Sequence, residues 1–161
     1  MRQLHDWQVG IERAREIQLQ FAGQLILVGS PDGVKYIAGV DVSPLGENGL
    51  ARAVVVVLTY PNFAVVDLAF SEARPEFPYV PGLLSFREAP LLAQAFERLH
   101  LEPDLVMVDG QGYAHPRRFG LASHLGLLLD RPTIGCAKSR LCGTHDEPGD
   151  RPGDWCNLVD D

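Results

Sequence analysis

The sequence predicts one α/β domain, a mixed sheet in which an antiparallel meander is extended by parallel strands and covered by helices. Three features lead there. Residues 35–72 hold three β-rich runs joined by turn sequences. Residues 104–136 read strand, helix, strand, an order that implies a parallel crossover. An amphipathic helical pattern precedes both. At 161 residues the chain is long enough to bury a core as one domain.

Taken in order, Trp7, Ile11, Ala14, Ile17 and Phe21 recur at steps of three and four with charged residues between, which predicts a helix ending near Gly23. Lys35 to Ser43, Ala51 to Tyr60 and Ala64 to Glu72 read as the meander, broken by Gly46-Glu47-Asn48-Gly49 and by Pro61-Asn62. Ala89 to Leu99 has helical composition, a start that keeps Pro90 near the N-terminus, where a missing N–H is tolerated. Asp104 to Gly110 is a short apolar run closed by Asp109 and reads as a buried strand. A glycine-rich loop, a helix from about Phe119 to Leu129 and a strand from Pro132 to Cys136 complete the pattern. Residues 146–161, acidic and with two Pro-Gly pairs, hold too little apolar material to pack by themselves and are expected to trail as a tail.

Composition narrows the function. Hydrophobic residues make up 46% and charged ones 22%, values of a folded globular chain. No stretch approaches the roughly 20 apolar residues of a spanning helix, and the first residues lack the basic-then-apolar order of a signal peptide, so a cytoplasmic location is expected. Cys136, Cys142 and Cys156 are odd in number, which argues against a disulfide framework, and with His145 they match no standard zinc spacing. The net charge of −7 is concentrated at the end: from Asp146 onward six acids face Arg151 alone, leaving −2 for the rest. An acidic total therefore does not exclude a nucleic-acid substrate, because bound cations can reverse the local balance.

Several residues sit where chemistry is expected. Asp41 interrupts a strong strand sequence, either as a strand-end group facing water or as a ligand. Asp109 closes a buried strand, where α/β sheets gather ligands, or else caps the turn at Gly110. Glu88 is either the partner of Ser85 in a capping box or, if the helix starts near Ala89, free to face a site. Lys138 follows the last strand and either balances carboxylates or is simply solvated. Three carboxylates with a lysine suit phosphodiester hydrolysis with magnesium, which prefers hard oxygen ligands. Pro78-Tyr79-Val80-Pro81-Gly82 is a stiff turn presenting an aromatic ring, suited to wedge into a base stack or to pack as an ordinary turn. Beyond Asp109, small residues and the pair Arg117-Arg118 offer close backbone approach and phosphate contacts, while His115 reads as either a base contact or a satisfied loop histidine.

Together these segments resemble the endonuclease V family along most of the chain. The resemblance rests on Gly39-Val40-Asp41-Val42, the block from Pro78 to Glu88, Val108-Asp109-Gly110 with His115-Pro116-Arg117-Arg118, and Pro132-Thr133-Ile134-Gly135 with Lys138 and Leu141-Cys142-Gly143. It implies a ribonuclease H-like fold and a repair enzyme that hydrolyses the second phosphodiester bond 3′ to inosine in DNA or RNA, leaving 3′-hydroxyl and 5′-phosphate ends. By the same resemblance Asp41, Asp109 and Glu88 form the acidic site for Mg2+ or Mn2+, and Lys138 supports catalysis. Tyr79 is the wedge, and hypoxanthine sits near Gly82, Leu84, Gly110, His115 and Gly120. The family continues with a further strand and helix that Asp160 and Asp161 do not match. The expectation is thus a C-terminally incomplete catalytic domain over 1–145 and an acidic tail over 146–161. Two other functions stay open: a non-catalytic remnant that still binds inosine strands, and a small-molecule phosphohydrolase, for which the tyrosine loop has no task.

Overall fold

The computed structural model describes residues 1–160. Its elements run α1 (Ile11–Ala22), β1 (Tyr36–Val42), β2 (Ala51–Thr59), β3 (Val65–Ala73), α2 (Leu84–Phe96), β4 (Leu105–Val108), α3 (Leu121–Leu129) and β5 (Thr133–Gly135). The five strands form one mixed sheet in the order β3-β2-β1-β4-β5. β1, β2 and β3 pair antiparallel, while β4 joins β1 and β5 joins β4 in parallel. This is the meander extended by parallel strands that the sequence predicts.

Alternation builds the core. Ala38 and Val40 of β1, Ala53, Val55 and Val57 of β2, and Val106 and Val108 of β4 point to one face and are buried against Ala89 and Leu92 of α2 and Leu125 of α3. On the opposite face Leu68 and Phe70 of β3 are exposed at 56% and 51%. A second cluster joins Ala14, Ile17 and Phe21 of α1 to Phe77, Leu83, Phe86 and Phe119. Asp104 fixes the entry to the parallel pair, accepting hydrogen bonds from the backbone N–H groups of Lys35 and Tyr36 at 2.8 and 2.9 Å. Among the described residues no helix is long and apolar enough to cross a membrane.

Three expectations are corrected. α1 starts at Ile11, not at Trp7, because Gly10 takes an extended conformation at the N-cap and a helical glycine there would be costly. Trp7 instead packs from the preceding loop against Phe86 and His124. α2 begins at Leu84, five residues before the expected start, with Pro90 as its seventh residue. An interior proline costs about 3 kcal/mol, but Phe86, Ala89, Leu91, Leu92 and Ala95 are all buried on this helix and their packing outweighs it. Residues 144–160 fold back rather than trail. Thr144 and Val159 form an antiparallel bridge, and Asp160 pairs with Arg118, so backbone and charge contacts do what apolar packing cannot.

Candidate active site

The register of the parallel strands creates the site. Val40 of β1 lies beside Val108 of β4, so the next residues, Asp41 and Asp109, emerge together at the carboxyl ends of adjacent strands. The backbone N–H of Asp109 donates to the Val40 carbonyl at 3.3 Å. Asp41 is exposed and accepts from the Val42 N–H at 2.8 Å, and Asp109 forms an ion pair with the exposed Lys138.

Glu88 reaches the same place from α2. Its carboxyl pKa is pushed up to about 7, first by burial and then by the negative charge of Asp41, with Arg87 pulling the other way and Asp109 adding a smaller push. Lys138 is held charged by its hydrogen bond to Asp109 and by the field of all three carboxylates. The structure thus brings Asp41, Glu88, Asp109 and Lys138 into one electrostatic cluster. The capping reading of Glu88 falls away, because α2 has no side-chain cap and the Ser85 hydroxyl is engaged with His124.

Among the described residues no three His, Cys, Asp or Glu side chains are drawn closely enough to ligate one ion. The donor set nevertheless suits magnesium: it is all carboxylate, and although burial does most to raise Glu88, the added push from Asp41 and Asp109 is what a divalent cation would relieve. In the structure the Lys138 ammonium supplies that positive charge at Asp109.

Beside the carboxylates lies a groove of about 390 Å3 lined by Ser43, Tyr79, Leu84, Arg87 and Glu88. Tyr79 is 74% exposed at its rim, so its ring faces solvent. Arg87 donates to the Phe77 carbonyl at 2.7 Å and ties the tyrosine loop to α2.

The remaining predicted residues lie across the loop. Gly82 has φ +77, and its carbonyl accepts from His115 at 3.0 Å. His115 is buried; its Nδ1 accepts from the Arg117 N–H at 3.1 Å and its Nε2–H donates to Gly82, so it contributes to this wall by holding the loop. Gly110 and Gly120 are also buried, and a side chain at Gly120 would come within 2.3 Å of the Gln111 carbonyl oxygen. The close approach here is between segments of the protein's own backbone. Of the arginine pair expected at phosphates, Arg117 is turned inward to Gly82 and Gln18, while Arg118 pairs at the surface with Asp160.

Comparison with known proteins decides the family. The sequence model of a family described as Endonuclease V matches residues 20–161. The chain belongs to the endonuclease V family. Endonuclease V of Gloeobacter violaceus is 56% identical over 145 residues, covering 89% of this chain and 59% of that protein. The crystal structure of endonuclease V from Streptomyces avermitilis matches with a TM-score of 0.88 at 42% identity, over 95% of this chain and 68% of that one. A crystal structure of Ciona intestinalis endonuclease V in complex with a 24mer DNA containing an inosine followed by a ribo-adenosine matches with a TM-score of 0.75 at 34% identity, over 82% and 59% of the two chains. The chain thus spans 59% of the length of the Gloeobacter relative.

Sequence reasoning missed Gln18, Ser85 and His124 as polar groups of the interior. Gln18 was detectable, since it falls on the apolar stripe of Ala14, Ile17 and Phe21, where an amide needs partners.

Proposed function

We propose that this chain is a divalent-metal-dependent endonuclease that hydrolyses the second phosphodiester bond 3′ to inosine in DNA or RNA. The observation that carries this reading is the meeting of Asp41 and Asp109 on adjacent parallel strands, faced by Glu88 and joined by Lys138. Support also comes from the relative whose structure contains an inosine-bearing DNA.

Asp41 and Asp109, completed by Glu88, would hold Mg2+ or Mn2+. When bound, the ion supplies charge neutralisation at the scissile phosphate and acidifies water. Glu88, whose carboxyl pKa stands at about 7 without the ion, would be ionised by it and complete the ligand set, while the proton lost by the attacking water passes to solvent. Water oxygen joins phosphorus while the bond to the 3′ oxygen breaks, and that oxygen leaves as a hydroxyl after gaining a proton. Lys138, paired with Asp109, would set its ammonium charge against the phosphate oxygens. Tyr79 fills the stack vacated by the flipped hypoxanthine, which rests between the Gly82–Leu84 and Gly110–Gly120 segments. Residues 1–145 form the catalytic unit and 146–161 an acidic extension.

The test is cleavage of an end-labelled strand containing one inosine, with Mg2+ or EDTA, by the chain and its Asp41→Ala variant. A cut one nucleotide beyond inosine, dependent on the ion and absent in the variant, supports the nuclease. Binding of inosine strands without any cut favours the binding remnant instead.

A further inference from the structure

We infer that Gln18, on α1, is a positioning residue that staples together the tyrosine loop and the glycine-rich loop, the two segments between which the proposed function places the flipped base. The inference rests on the proposed inosine reading for its consequence, but the staple itself is visible in the fold. Gln18 is 1% exposed, an amide in the interior of an apolar cluster. Its Nε2 donates to the Gly82 carbonyl and to the Phe119 carbonyl, both at 3.0 Å. Its Oε1 accepts from Arg117 Nε at 2.5 Å. One amide thus grips the end of the tyrosine loop with one hydrogen and the end of the glycine-rich loop with the other.

The orientation of the amide is forced. Turned over, its oxygen would face two carbonyls and its NH2 would face a guanidinium. Arg117 doubles the grip by donating to the same Gly82 carbonyl at 2.8 Å, and His115 adds a third donor at 3.0 Å. A carbonyl with three donors is fixed in position, and a side chain at Gly82 would come within 2.8 Å of Arg117 Nη2. Three residues before it, Tyr79 is the free end of this clamped turn, which the Leu83 N–H closes onto the Val80 carbonyl at 2.9 Å.

Rigid placement matters because a wedge discriminates only if it enters the stack at the site where the base leaves. Loss of Gln18 should therefore spare general strand affinity and reduce the preference for inosine.

The experiment has two arms on the full chain and its Gln18→Glu and Gln18→Leu variants. Glu keeps the Arg117 partner but loses both donors. In the first arm, hydrogen exchange follows the Leu83 amide. It is expected to be as protected as core amides of β2 in the wild type and to exchange at least tenfold faster in Gln18→Glu, by loss of two hydrogen bonds. In the second arm, anisotropy measures binding to a single strand with one inosine and to its adenine counterpart. The inosine preference should fall about tenfold in Gln18→Glu with adenine-strand affinity unchanged.

A Leu83 amide that exchanges like a surface loop in the wild type overturns the staple even if no variant folds. Unchanged protection or unchanged preference in a folded variant overturns it as well. If the wild type shows no inosine preference, the proposed substrate fails, and the exchange arm alone then decides the staple.

Discussion

Acid should unfold this protein through His124. The imidazole is fully buried in α3, its pKa pushed down to about 3 by burial and by neighbouring His5. Its partners set the protons. The Asp6 carbonyl can only accept, so His5 carries its hydrogen on Nδ1 and offers Nε2 as an acceptor. His124 therefore donates from Nε2 to His5 at 2.8 Å and accepts the Ser85 hydroxyl at Nδ1, 3.0 Å away. His5, His124 and Ser85 are thus neutral and hydrogen-bonded to one another. An unfolded histidine titrates near 6.5, so the folded value is depressed. The neutral form contributes its full stability above about 6.5, and that contribution is lost as pH falls from 6.5 towards 3. Linkage gives a loss of about 2 kcal/mol between pH 7.5 and 5, with a limiting slope of about 1.4 kcal/mol per unit. Urea unfolding at a series of pH values measures it, and the difference between wild type and His124→Gln isolates this residue from the carboxylates. The reasoning is refuted if that difference stays within about 0.5 kcal/mol across the range.

Three further outcomes are expected. Divalent-ion binding at pH 7 should release about half a proton, because the cation drives ionisation of Glu88; calorimetry in buffers of different ionisation enthalpy reads it, and Glu88→Gln should abolish it. Gly120→Ala forces a methyl against the Gln111 and Gly112 carbonyls and should cost about 2 kcal/mol or more. Gly10→Ala, which meets nothing within 4 Å, is the control, and equal melting temperatures for the two would contradict the packing. Replacing Leu68 and Phe70 together by Thr should reduce binding of a hydrophobic dye while changing stability by less than about 1 kcal/mol. Undiminished dye binding would mean that the apolar surface lies elsewhere.

The strands and the acidic site were legible because each depends on a short local pattern. Asp41 and Asp109 both stand out as charges at the ends of apolar runs, and a parallel crossover brings such ends to one edge of a sheet. What local pattern could not show is register: the one-to-one match of Val40 with Val108 is a property of the assembled sheet. The start of α2 was misplaced because Pro90 was weighed by its local cost alone, while the burial that offsets it comes from strands far away in sequence. Likewise the return of residues 144–160 rests on one bridge and on the pairing of Asp160 with Arg118, contacts that composition does not encode. His115, which the sequence leaves between a base contact and a satisfied loop histidine, and Arg117, read as able to meet phosphate, have Gly82 and Gln18 as their partners within the fold, contacts that residue type alone does not reveal.

The buried polar groups explain how the site keeps its aim. On α2, Ser85 lies one turn before Glu88, so the bond from Ser85 to His124 of α3 fixes the rotation of the helix that carries the carboxylate. Arg87, between them, holds Phe77 at the start of the tyrosine loop, and Gln18 holds Gly82 at its end. Apolar packing alone tolerates small slips, since one aliphatic contact replaces another. A slip of α2 by one residue would turn Glu88 by about 100° and strand the Ser85 and His124 groups without partners, at about 1–3 kcal/mol each. Among the described residues no buried side-chain nitrogen or oxygen lacks a partner. Polar satisfaction therefore selects one rotation of α2, and with it one position of Glu88 before Asp41 and Asp109.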